Sequence, residues 1–182
     1  MQWTIPGTTL KGERDNADRI DGLLQSMFLA GGLTLSQVAS VTGLEPYTIQ
    51  NWVKRGFLPS PKNKRYDMEQ LCRLINMNIL KGTMPLEKIV HLMTYLNGRL
   101  DDEGDDLVDD TQLFIYFVRL AARARYIGGT KNWDEALEEI TEQYQEPVPG
   151  ARVKFIMVLK IMLTVWVANQ LRAQAEDMIS KL

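Results

Sequence analysis

LTLSQVASVTGLEPYTIQNWVKRGFLPSPKNKRY, residues 33–66, packs two helix starts, two glycine stops and a basic turn into one short stretch. Thr34 followed three residues later by Gln37 is a capping-box pattern, in which each side chain bonds the other residue's backbone N–H. Leu35, Val38 and Ala39 then give a short helix one apolar face. Gly43 supplies a tight turn. Pro46, with its fixed φ and missing N–H, suits the first position of a second helix. Ile49, Trp52 and Val53, spaced i, i+3, i+4, form that helix's inner face, and Gly56 stands where a helix-ending glycine belongs. Phe57 to Tyr66 is too rich in proline and turn formers for a helix. It is expected as two short extended pieces around a basic tip, a small wing.

Centring the buried face of the second helix on Ile49, Trp52 and Val53 turns Tyr47, Asn51 and Lys54 directly outward, with Gln50 and Arg55 beside them and Thr48 at the helix start. Amides can read adenine edges in a major groove, and Lys or Arg can bond guanine or phosphate. Lys62, Lys64 and Arg65 at the wing tip can reach backbone phosphates. Polar side chains also serve simply to solvate a helix. That accounts for each residue singly, but less well for their coincidence with a tight turn, a glycine stop and a basic tip.

TIQNWVKRGFL (Thr48 to Leu58), KNKRY (Lys62 to Tyr66), a following helix and PLEKI (Pro85 to Ile89) resemble the MerR-type winged helix-turn-helix. The likeness is closer to an uncharacterised bacterial branch of that group, a domain-of-unknown-function family. Its recognition helix reads N-Y-V-K, before a Pro-Lys-rich wing ending in Lys-x-Tyr. Asn51, Trp52, Val53 and Lys54 match with Trp in place of Tyr, and the likeness covers Leu33 to Leu100. The resemblance implies that the helix enters the major groove and the wing grips the backbone. Gln50 stands where MerR activators carry Arg, and no long helix with a metal-binding cysteine follows Gly98. Operator and inducer are therefore not carried over.

Outside this stretch, Ile20, Leu23, Leu24, Met27 and Phe28 form a helical stripe that stops at Gly31-Gly32, after a loop containing Trp3 and Pro6. Asp67 with Gln70 caps a helix carrying Leu71, Leu74, Ile75 and Ile79; Pro85 opens another that ends at Asn97-Gly98. The acidic run Asp101 to Asp110 is expected as a solvated linker. Three helices follow, from about Thr111 to Ile127 before Gly128-Gly129, from Asn132 to about Tyr144 with Glu135 completing a capping box, and from Ala151 to about Met178. The last is apolar on most sides and is expected to be central or to contact a second subunit.

The chain has 182 residues, 45% apolar and 24% charged, with a net charge of −2. That charge is an average over unlike segments. Residues 1–32 carry −1, residues 33–100 carry +5, and residues 101–182 carry −6. A basic module beside an acidic one points to a polyanion-facing surface on the first. One histidine and one cysteine exclude a Cys/His zinc cluster or an intrachain disulfide. No nucleophile–base pair or phosphate-cradling glycine loop is evident, so an enzyme is not expected and no cofactor is implied. The acidic run fails the calcium-loop pattern. His91 is expected at a packing or boundary position, Cys72 in the core, and Trp133 and Trp166 among core aromatics. Tyr116, Arg119 and Arg123 share a helix face that can line a pocket for an anionic effector, or pair with Glu138, Glu139 or Glu142.

The expected architecture is all-α with a small β wing. Residues 1–100 form a winged helix-turn-helix DNA-binding domain with an N-terminal helix, 101–110 a linker, and 111–182 a helical dimerisation or effector domain. The expected function is sequence-specific transcription regulation by a homodimer on double-stranded DNA; the alternative is a winged-helix protein-interaction adaptor without DNA binding. A single thiol, no export leader and no membrane-length apolar run point to a cytoplasmic protein without a membrane partner.

Overall fold

A computed structural model describes residues 2–98, 107–124 and 131–182, with the side chains of residues 131 and 132 outside the description. An antiparallel hairpin of β1 (Gln2–Thr4) and β2 (Lys11–Glu13) is followed by a 3-10 turn, Arg14–Arg19. The helices are α1 (Ile20–Met27), α2 (Leu35–Thr42), α3 (Pro46–Lys54), α4 (Met68–Leu80), α5 (Leu86–Asn97), α6 (Asp110–Arg123), α7 (Lys131–Ile140) and α8 (Ala151–Ile179). The fold is mostly helical.

The core forms around α4, which is buried on nearly every side and packs most extensively along α6. Leu71, Leu74 and Ile75 of α4, Phe114 and Phe117 of α6, and Phe155 of α8 are all fully buried. The N-terminal half of α8 is central, with Phe155, Val158, Leu159, Met162 and Leu163 buried; from Gln170 onward every residue is exposed.

Three expectations are corrected. The segment around Trp3 and Pro6 is a hairpin, not a plain loop: Trp3 pairs with Gly12, and Ile5 N–H donates to Leu10 O at 2.9 Å. Strands of three residues are too short to show alternation, which is why the sequence does not display them. The linker does not extend through Asp110. Asp109 caps α6 by accepting from Gln112 N at 2.7 Å, and Asp110 is buried in the helix's first turn; residues 101–106 lie outside the described residues. α6 ends at Arg123, whose guanidinium turns back to the Arg119 carbonyl at 3.3 Å. The expected stop at Gly128-Gly129 lies outside the described residues, as does the side chain of Asn132.

The N-terminal hairpin braces the turn between α2 and α3. Thr9 donates to the Ser40 carbonyl at 2.6 Å, and Asn78 of α4 donates to both Gly7 O (3.0 Å) and Thr42 O (2.8 Å). The bonds to Ser40 O and Thr42 O satisfy carbonyls that the end of α2 leaves open. Gly7 has φ +71, and a Cβ there lies 2.8 Å from the Ile75 carbonyl. Gly7→Ala is therefore expected to cost about 2–4 kcal/mol in urea unfolding, from left-handed backbone strain and the clash with α4.

Candidate nucleic-acid interface

The α2–α3 pair is set by local chemistry. The Thr34–Gln37 capping box is closed in both directions, with Gln37 N to Thr34 Oγ1 at 3.3 Å and Thr34 N to Gln37 Oε1 at 2.9 Å. Gly43 takes φ +68 as its N–H reaches the Ala39 carbonyl. Ile49 and Trp52 are buried beneath α3 and Val53 is half-buried. The opposite face therefore points to solvent. Tyr47, Gln50, Asn51, Lys54 and Arg55 are exposed and Thr48 is half-buried.

After α3 the chain forms a tight hairpin. Lys62 bridges to Arg65, with Arg65 N–H to Lys62 O at 2.9 Å, and the two tip residues Asn63 and Lys64 both have positive φ, 51° and 60°. Two consecutive positive values match a two-residue reversal that follows the natural strand twist. Tyr66 then pairs with Leu33 through two 2.8 Å backbone bonds, joining the hairpin to the entry of α2. Its stem is fastened to α4. Gln70 donates to Pro59 O and Ser60 O, and Arg73 Nε donates to Phe57 O at 2.9 Å. The outer face of α3 and the basic tip are thus carried on one support.

Electrostatically the residues divide. Among the described residues, the side chains of Gln50, Asn51, Lys54, Lys62 and Lys64 make no hydrogen bond or ion pair, so their donors are available to a ligand. Arg55 lies over the Phe57 ring at 4.6 Å and faces Glu87 at 3.7 Å, and Arg65 donates to Gly32 O at 3.0 Å. The Arg55–Glu87 pair is solvent-exposed and weak, so a phosphate can replace it.

Arg73 carries a second contact that the sequence does not announce. Its Nη1 meets Asp110 Oδ2 at 2.8 Å, both side chains are 4% exposed, and Asn76 donates to Asp110 O and Oδ1. Burial pushes the Asp110 carboxyl upward, while the Arg73 guanidinium and the Asn76 amide pull it down. Asp110 sits at the N-terminal end of α6, where the helix dipole also favours a negative group. One buried arginine therefore ties the stem of the basic hairpin to α6.

Of the three residues expected to line an effector pocket, Arg119 and Arg123 meet at Asp18, whereas Tyr116 packs among aromatic rings. Tyr116 packs edge-on against Tyr144 and Phe155. Arg123 pairs with Asp18 at 3.1 Å and with Glu139 at 3.3 Å, and Arg119 faces Asp18 at 3.7 Å. The Glu139 pairing is among the alternatives read from the sequence; Asp18, some hundred residues away along the chain, is not. His91 is exposed on α5. Cys72 is fully buried, and that burial pushes its thiol well above the ordinary range. Trp133 is buried, and Trp166 packs edge-on against Phe117.

Residues 31–117 match the family model of a domain of unknown function, DUF1836. The match spans α2 through the first half of α6 and so includes both ends of the Arg73–Asp110 pair. No curated protein and no solved structure matches the chain. Among the described residues, no helix is long and apolar enough to cross a membrane.

Proposed function

We propose that this chain is a sequence-specific DNA-binding transcription regulator with a winged helix-turn-helix, acting as a homodimer. The observation that carries the reading is the outer face of α3. Tyr47, Gln50, Asn51 and Lys54 are presented together over a buried Ile49–Trp52 face, beside a tight turn bearing Lys62 and Lys64. A short helix with amides and cations outward fits the major groove, where Asn or Gln reads adenine and Lys reads guanine. The hairpin tip supplies phosphate contacts that fix register without reading sequence. Two copies would place two such helices on half-sites about 34 Å apart, one turn of the duplex.

The test is a mobility shift of the full chain on fragments from its own promoter region, against random duplex of equal length. A retarded complex that random duplex competes poorly supports the reading. Absence of any complex sinks it and leaves the protein-adaptor alternative. Lys64→Ala is expected to weaken binding to every duplex alike and to lower the slope of log affinity against log salt by about one phosphate equivalent. Unchanged affinity removes the tip from the interface.

A further inference from the structure

We propose that the outward face of α8 is the docking surface for a second copy of this chain, running antiparallel to the first. The inference rests on the dimeric reading above and assigns it a surface. Thr164, Ala168, Leu171, Ala175 and Met178 recur at alternating spacings of four and three residues, the period that keeps one helical seam facing another helix. None of them is buried in the chain, and Leu171 and Met178 are 45% and 63% exposed. The seam carries no charge. Thr164 satisfies its hydroxyl on the Lys160 carbonyl at 2.8 Å, which leaves its methyl to pack.

Apart from Lys160, one turn before Thr164 on the same face, the charged side chains of α8 lie off this seam, and several hold the helix to its own chain. Lys160 reaches Asp134 of α7 at 2.6 Å, Lys154 lies over the Tyr95 ring of α5, and Arg172 donates to the Gly82 carbonyl at 2.6 Å. Contacts on either flank leave the seam as the open side. From Gln170 to the end of α8 every residue is exposed, so the seam there lies open to a second chain.

Residue volumes select the occupant and its direction. The seam alternates small residues, Ala168 and Ala175, with large ones, Leu171 and Met178. In an antiparallel pair the two seam positions face each other, so Ala168 meets Met178 of the second copy and Leu171 meets Ala175. Every layer then holds one small and one large side chain. Beyond the helix end, Leu182 falls opposite Thr164 in the same register. A parallel pair would set alanine against alanine and leucine against leucine, alternating voids with crowding, which well-packed interfaces avoid. The seam is complementary to itself in one direction only.

The experiment is the mass of the full chain by light scattering at micromolar concentration, with cross-linking to fix direction. The expected mass is twice 20.8 kDa. Leu171→Glu/Met178→Glu is expected to return it to 20.8 kDa with unchanged circular dichroism, because both side chains are exposed within one copy. Cys72 is fully buried, so introduced thiols report alone. Ala168→Cys/Met178→Cys should form an intermolecular disulfide, and Ala168→Cys by itself should not. A monomeric full chain overturns the proposal and leaves the face to a different protein; so does a dimer that ignores the two glutamates. Cross-linking by Ala168→Cys alone overturns the antiparallel arrangement. A dimer that binds no DNA would retain this surface and remove the DNA reading, so the two can fail separately.

Discussion

Asp110→Ala is expected to lower folding stability by about 3–5 kcal/mol, read as the shift in urea midpoint at constant slope. The substitution leaves the Arg73 guanidinium charged and enclosed, 4% exposed and with no counterion, and strips Asn76 of its side-chain acceptor. An uncompensated buried charge costs far more than the pair contributes. Single domains hold only about 5–15 kcal/mol in total, so this one change removes a large part. The control is Arg73→Met/Asp110→Leu, which removes both charges and should recover most of the loss, because apolar replacement of a buried pair is often neutral or stabilising. If Asp110→Ala costs less than about 1 kcal/mol, the pair is not the enclosed junction described above.

The second large effect concerns recognition. Asn51→Ala is expected to reduce affinity for the preferred duplex by about 5- to 150-fold, the equivalent of about 1–3 kcal/mol for one bidentate base contact, while weak binding to random duplex persists. On the proposed reading the two affinities respond differently, because random binding would rest on phosphate contacts from Lys62, Lys64 and Lys54, which the substitution leaves in place. Stability should hardly change, since the Asn51 side chain is exposed and makes no bond within the chain. Equal loss on both duplexes would mean that Asn51 does not read a base. Competition titrations by fluorescence anisotropy measure both affinities.

What the sequence displays here is what local interactions determine. The capping boxes at Thr34–Gln37 and Asp67–Gln70 both close as their spacing implies, because each partner lies one turn away. The burial of Ile49 and Trp52 follows from their spacing alone, and so the outward direction of Asn51 and Lys54 is also visible. What stays hidden depends on distant partners. Asp110 reads as the last of a solvated acidic run because Arg73 lies 37 residues back. Asp18 reads as an ordinary surface acid, although it meets Arg123 across 105 residues. The N-terminal hairpin escapes detection because its strands are three residues long, and its role against Ser40 and Thr42 emerges only when the chain has folded back on α4. Of the basic residues in segment 33–100, Lys54, Lys62 and Lys64 stand exposed on α3 and the hairpin tip.

If the outer face of α3 touches DNA, site-directed photocross-linking shows it most directly. Gln50→Cys and, as reference, Gln170→Cys on α8 each carry an aryl azide, with Cys72 unreactive in the core. On irradiation with the promoter duplex, a covalent protein–DNA adduct is expected from position 50 and none from position 170. Equal yields from the two positions, or an adduct from position 170 alone, would contradict it.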